Sequence, residues 1–278
     1  MTTVAAVLVT SNSQRWIAET IESVLRQSRQ PDAFVIVDDR SVDGTRDVIH
    51  RMLGAQVRLV DSTTTSTDRV TRIAHNFRQA LDEARDLDIA ILGDHDDVWH
   101  PNRVGHQAGL LETWRDDAML ASDGRLMDDA GSVTGGTLRT AFPVPIDWAS
   151  STPRERMRAV IRFSVATGGA SAVRPVSFAD VPMPEGWLHD RWWSLVAAAR
   201  EELRIDDEPV IDYRVSSHQE VGLGRGHQAK SGRERVGEGV KNVTMTMRRV
   251  QDVHWLASIA TPETRTELSY ARLARNLL

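Results

Sequence analysis

Apolar residues fall along the first hundred positions in two alternating rhythms. Short continuous runs at residues 4–10, 34–38, 57–60 and 89–92 read as buried strands. Between them, residues 14–27, 43–53 and 71–84 carry apolar side chains at helical spacing, for example Trp16, Ile17, Ile21, Val24 and Leu25. A βαβαβαβ order of this kind predicts a parallel sheet with helices on both faces. Ligands of such sheets bind beyond the carboxyl ends of the strands. The polar clusters fall at those ends: Ser11-Asn12-Ser13, Asp38-Asp39-Arg40-Ser41 and Asp94-His95-Asp96-Asp97.

The middle of the chain is less regular. Helices are expected over residues 103–114, 154–163 and 192–203, and strands over 118–122 and 170–173, with turn chemistry at 128–136 and a loop at 143–153. After residue 222 the texture changes. Residues 222–239 are rich in Gly, Arg and Glu and read as a mobile stretch, and 240–260 and 263–278 read as two amphipathic helices broken at Pro262. The expected division is a domain over 1–222 with a loop and helical appendage over 223–278.

Bulk properties narrow the function. With 278 residues the chain can bury a large core. Its net charge of −5 argues against a nucleic-acid partner held by counterion release. The absence of cysteine removes disulfides and thiolate metal sites. The apolar run at 4–9 is too short for a signal peptide and no stretch has the length of a membrane span, so the expectation is a soluble, cytoplasmic protein without an integral membrane segment. A homo-oligomer is left open.

The acidic turn after residue 92 carries the most chemistry. Three carboxylates within four residues, directly after a buried strand, are costly to desolvate without positive charge among them. A hard divalent cation, Mg²⁺ or Mn²⁺, carrying a diphosphate suits such oxygen ligands. Asp94 and Asp96 are two apart and share a side of an extended segment. At the end of the second strand, Asp38 or Asp39 reads as a ligand group for a base or ribose, and Asp43 as a helix cap. Gly168 and Gly169 permit close backbone approach to a sugar or phosphate oxygen, or simply a turn before the next strand. Neither G-x-G-x-x-G nor a P-loop occurs, which counts against a dehydrogenase or an NTPase.

These motifs together resemble family-two glycosyltransferases of the type-A nucleotide-diphospho-sugar transferase (GT-A) fold, over roughly residues 4–222, with the acidic motif in the form common among rhamnosyltransferase-like members. The resemblance rests on Val7–Asn12 leading into Ile21–Ser28, on Val37-Asp38-Asp39-Arg40-Ser41-Val42-Asp43-Gly44-Thr45, on Asp94-His95-Asp96-Asp97-Val98-Trp99, and on Thr167-Gly168-Gly169-Ala170 followed by Gly186-Trp187-Leu188-His189-Asp190-Arg191-Trp192-Trp193. It implies an inverting, metal-dependent transferase that moves a sugar from a UDP- or dTDP-sugar to an acceptor hydroxyl. It implies that Asp38 and Asp39 contact the nucleoside, with Thr10 or Ser11 beside the base. It implies that Asp96 binds Mg²⁺ or Mn²⁺ with Asp94 supporting, and that Asp190 deprotonates the acceptor, a small molecule or saccharide. Gly168, Gly169, Trp187 and His189 fall on the donor-sugar and acceptor side. The reading of Asp190 as a helix cap stands beside the base.

Two departures from the family pattern stand out. Arg72 occupies a position where many members have glycine, and it either reaches a donor phosphate or lies on a solvated helix face. After Tyr213-Arg214 the family's metal- or diphosphate-contacting His is displaced: Ser216 falls in its place and His218 two further on, so either residue is a candidate. The rival readings are a sugar-phosphate nucleotidyltransferase, whose Gly-rich basic loop is missing after the first strand, and a nucleotide-sugar-binding module that has lost activity.

Overall fold

The computed structural model describes residues 2–216 and 247–277. Its N-terminal half is a four-stranded parallel sheet in the order β3 (Val57–Asp61), β2 (Ala33–Asp38), β1 (Val4–Thr10), β4 (Ile89–Asp94). All seven residues of β1 are buried. The period of two then sorts the side chains into two cores. Ala5, Val7, Val9, Val35, Val37, Ala90 and Leu92 point into one, and Val4, Ala6, Leu8, Phe34, Ile36, Ile89 and Ile91 into the other. Helices α1 (Ile17–Leu25), α2 (Thr45–Leu53) and α4 (Arg103–Thr113) cover the second face, and α3 (Arg69–Glu83) covers the first. Strands covered on both sides must be apolar throughout, which is why they read as continuous runs.

Beyond β4 the strand directions become mixed. The sheet continues through β8 (Ser171–Val173), β6 (Met119–Met127), β9 (Leu203–Arg214) and the two-residue β5 (Val98–Trp99), while β7 (Val133–Thr137) forms a hairpin with β6. β8 is antiparallel to both neighbours, and β9 runs parallel to β6 with register shifts around Asp123. This curled α/β sheet, parallel through β3, β2, β1 and β4, is the expected GT-A architecture.

Several elements differ from the expectation. The helix placed at 192–203 is α8 (His189–Ala199), three residues earlier at its start. It ends because Glu201 adopts φ 64°, with Glu201 and Glu202 N–H groups turned back onto Ala198 and Ala197 carbonyls. That reversal launches β9, a twelve-residue strand where no strand was expected. The turn at 128–136 contains β7. Helices α5 (Leu138–Ala141) and α7 (Pro175–Phe178) are single turns. Helix α6 (Pro153–Arg162) starts at a capping box, Thr152 with Glu155, and Pro153 fits its first turn.

Residues 247–255 are helical (α9), followed by α10 (Pro262–Arg265) and α11 (Tyr270–Leu277). The expected single helix from 263 is broken because Ser269 is extended. Val253, Leu256, Ala260, Leu268 and Leu273 are buried in the same core as α3, α6 and α8. No helix among the described residues is long and apolar enough to cross a membrane.

Candidate active site

The ends of β1 and β2 are laced into one surface. Asn12 and Arg40 hold left-handed backbones, φ 47° and 56°, which turn the chain out of each strand. The Asn12 N–H donates to Ser41 Oγ at 2.8 Å, and its side-chain oxygen accepts from Val42 N–H at 2.9 Å. Ser11 Oγ donates to the Asp39 carbonyl at 3.1 Å, and Thr10 and Ser13 hydroxyls meet each other. The Asp43 carboxylate accepts from the Thr45 N–H and hydroxyl and so braces the start of α2 from the position before its N-cap, which is Gly44 and not Asp43 as expected.

The two adjacent aspartates part ways here. Asp38 is buried and turned to Ser41 (2.5 Å to its hydroxyl) and to Arg46 (3.0 Å), away from the cavity described below. Asp39 lines that cavity, and its Oδ2 accepts from Arg72 Nε at 2.5 Å. Arg72 therefore sits behind Asp39 and does not itself form the cavity wall.

After β4 the chain makes a tight acidic turn. Thr20 Oγ1 donates to the His95 and Asp97 carbonyls, both at 2.9 Å, and Arg214 Nε donates to the Asp96 carbonyl at 2.8 Å. Asp97 is fully buried; one oxygen accepts from Arg214 N–H at 2.9 Å and the other has no partner among the described residues. Behind the turn lies the buried Arg103, which stacks over Trp99 and donates to the Leu92 carbonyl at 2.6 Å. Burial, with Asp96 beside it, pushes the Asp94 carboxyl up to about 7. Burial with Asp96 and Asp94 pushes Asp97 well above the carboxylate range. Burial lowers the Arg103 guanidinium to about 9, against the pull of Asp97 and Asp94. The carboxyls rise although both Arg103 and Arg214 lie against the turn, which is thus a ready site for further positive charge.

A pair of glycines stands between this turn and α8. A Cβ on Gly169 would lie 2.7 Å from Asp97 Oδ2 and 2.9 Å from Asp94 Oδ2, and one on Gly168 would run into the imidazole of His189. The Gly168 N–H donates to Asp190 Oδ2 at 2.9 Å, while Asp190 Oδ1 accepts from Arg191 N–H at 2.6 Å. Asp190 lies in the first turn of α8, whose N-cap residue, Leu188, makes no side-chain cap. Burial raises the Asp190 carboxyl, and these two N–H groups oppose the rise without reversing it.

Asp94, Asp96 and Asp190 line one cavity of about 710 Å³, together with Thr10, Ser11, Asp39, Gly168 and His189. The cavity thereby brings together most residues singled out from sequence. Arg72 and Gly169 lie behind its wall, against Asp39 and Asp94, and Asp38 is turned away from it, contrary to the expected nucleoside contact. Trp187 lies elsewhere: it is buried against Trp192, and its Nε1 donates to Asp252 at 2.9 Å. Ser216 is buried, and His218 lies outside the described residues.

His189 was expected in the site, whereas its neighbours in the wall, Phe77, Asn76, Trp16 and Tyr213, were not. His189 stacks on Phe77 at 3.7 Å and meets the edge of Trp193; burial lowers its imidazole to about 3, so it is neutral, and neither ring nitrogen has a partner among the described residues. Asn76 is oriented by Ser62, and its buried amide nitrogen has no partner among the described residues. Trp16 and Tyr213 complete the wall near the acidic turn, and burial next to Asp97 and its neighbours holds the Tyr213 phenol protonated. These residues come from helices and strands far apart in the chain, so no local spacing announces them.

The Glycosyl transferase family 2 profile matches residues 5–172. The chain belongs to that family. It is 28% identical over 153 residues to the putative glycosyltransferase EpsE of Bacillus subtilis (strain 168), covering 54% of this chain and 52% of that protein. It is also 28% identical over 133 residues to the putative teichuronic acid biosynthesis glycosyltransferase TuaG of the same strain, covering 45% and 50%. The chain therefore matches about half the length of these curated relatives. Among solved structures, S. aureus TarS 1-349 in complex with UDP superposes with a TM-score of 0.62 at 16% identity, covering 98% of this chain and 71% of that one. The mannosyltransferase PcManGT of Pyrobaculum calidifontis in complex with GDP-Man and Mn²⁺ gives 0.55 at 16% identity, covering 97% and 68%. At these identities the likeness concerns the fold.

Proposed function

We propose that this chain is an inverting glycosyltransferase that moves a sugar from a UDP- or dTDP-sugar to an acceptor hydroxyl, with Asp190 as the base. One observation carries the reading: a carboxylate raised by burial and clamped by two backbone N–H groups opens into the same cavity as the acidic turn. In this reading Asp39 and the ends of β1 and β2 receive the nucleoside. Asp190 takes the proton of the acceptor hydroxyl as its oxygen attacks the anomeric carbon, the bond to the nucleoside diphosphate breaks, and the configuration inverts.

A divalent cation fits the residues present. The acidic turn offers hard oxygen donors, a buried unpartnered Asp97 oxygen and uncompensated charge. Asp96 and Asp94 would hold it, and Mg²⁺ or Mn²⁺ would offset charge developing on the departing diphosphate. Among the described residues no group of three His, Asp or Glu side chains closes a metal site by itself. That suits a cation whose remaining positions are filled by diphosphate and water. The complexes of UDP with TarS and of GDP-Man and Mn²⁺ with PcManGT support a nucleotide-sugar donor and a cation for this reading.

The test is Asp190→Asn, assayed by nucleoside diphosphate release over a panel of UDP- and dTDP-sugars. Loss of a positioned base lowers kcat by about 10²–10⁴. Both Asp190 oxygens accept N–H groups, so Asn leaves one donor unmatched and costs about 1–2 kcal/mol of stability. UDP binding should be unchanged. Normal turnover by Asp190→Asn overturns the assignment.

A further inference from the structure

On α6, Arg154, Arg158 and Arg162 are spaced by four and share one face. Arg272 and Arg275 of α11 come up against that face. Among the described residues, the only carboxylate lining the cavity between them is Glu267, wholly buried. Glu267 accepts from Arg158 at 3.2 and 3.3 Å and from Arg272 at 2.5 Å, with Arg154 at 3.7 Å. Arg158, Arg162, Glu267, Arg272, Arg275 and Asn276 enclose a cavity of about 310 Å³, which shares no lining residue with the catalytic cavity.

A staple between α6 and α11 accounts for Arg158, Arg272 and Glu267. It does not account for Arg162 and Arg275, which flank the same cavity and make no side-chain ion pair or hydrogen bond among the described residues. Crowding further guanidinium groups around one already saturated carboxylate raises the local positive potential, on a chain whose net charge is −5. Forked N–H donors on a concave surface match phosphate oxygens. Glu267 pre-positions two of the forks, and Arg162 and Arg275 remain to bond a ligand.

We propose that this groove is a binding site for a phosphate or diphosphate monoester, separate from the donor site. The α6 chain leads directly from it to the catalytic cavity: Ser164 lines that cavity and lies within roughly 7 Å of chain from Arg162. A phosphorylated molecule held here is therefore only a short stretch of chain from the wall of that cavity.

The experiment is calorimetric titration of the full chain with inorganic pyrophosphate while UDP and Mn²⁺ saturate the donor cavity. Wild-type protein should still bind pyrophosphate. Arg162→Gln/Arg275→Gln should weaken that binding about tenfold or more, with UDP affinity and Tm unchanged, because neither side chain supports the fold. Absence of pyrophosphate binding to UDP-saturated wild type overturns the proposal, as does undiminished binding by the double variant. Vesicles of phosphatidylcholine with and without phosphatidic acid identify the source. Sedimentation with phosphatidic acid vesicles that the double variant loses points to a lipid phosphate. Pyrophosphate binding without sedimentation points to a soluble phosphorylated ligand.

Discussion

At the scale of single residues, Gly169 is hemmed in by two carboxylates of the acidic turn. Its missing Cβ leaves the room that Asp94 and Asp97 occupy. Asp97 cannot give way easily, because Arg214 N–H holds it and it is fully buried. Gly169→Ala should therefore cost about 1–3 kcal/mol through overpacking and displace the acidic turn. Thermal melts and Mn²⁺ titrations check this; a variant with wild-type Tm and metal response would show that the turn has slack. Asp190 yields a prediction in pH. A base works only when ionised, so kcat rises as pH rises through its pKa in the folded enzyme. Burial raises that pKa, so the acid limb should lie above the roughly 3.9 of an ordinary Asp. A pH profile of kcat with a limb in the usual carboxylate range contradicts the geometry. The carboxylates and glycines of the site were legible in sequence because local spacing announces them. His189 was read as a polar site residue, and its stacking on Phe77 was not, since that contact joins two helices more than a hundred residues apart.

At the scale of elements, the β1–β4 half was legible because strands buried on both faces leave unbroken apolar runs. The C-terminal strand β9 was not. Its sequence, Leu-Arg-Ile-Asp-Asp-Glu-Pro-Val-Ile-Asp-Tyr-Arg, has a Pro and four acidic residues, and bulges against β6 break its alternation of buried and exposed positions. Yet this strand fixes the acidic turn. Arg214 at its end donates to the Asp96 carbonyl and reaches Glu19, and its own N–H holds Asp97. Arg214→Gln would strip the turn of the side-chain bonds while keeping the N–H. The loss should be on the order of 2–3 kcal/mol, the worth of hydrogen bonds to a buried charged group plus the stranded acceptor. Donor affinity in the presence of Mn²⁺ should fall with it. Unchanged donor binding at reduced Tm would separate the strand's structural role from the site.

At the scale of the whole molecule, the sequence divides at about residue 222, where composition changes and the family's motifs end. The packing does not divide there. The helices beyond residue 246 contribute Val253, Leu256, Ala260, Leu268 and Leu273 to the core that also holds Phe77, Trp192 and Trp193. Two hydrogen bonds add to these contacts: Asp252 accepts from the indole of Trp187, just ahead of α8, and Thr264 Oγ1 donates to the Ala199 carbonyl at the end of that helix. Composition could not reveal this, since an amphipathic helix shows that it has an apolar face and not what covers it. Full burial of a large aliphatic side chain contributes roughly 1.5–3 kcal/mol. Removing the four large ones, Val253, Leu256, Leu268 and Leu273, therefore forfeits roughly 6–12 kcal/mol, a large share of the roughly 5–15 kcal/mol that holds a typical domain. A chain ending at residue 246 should then melt far lower than the full chain, bind a hydrophobic dye, and lose turnover because α8 no longer holds Asp190 in place. If the shortened chain instead keeps its Tm and its nucleoside diphosphate release, α8 is held by α3 and α6 alone, and the C-terminal helices serve the phosphate groove or a partner rather than the catalytic core.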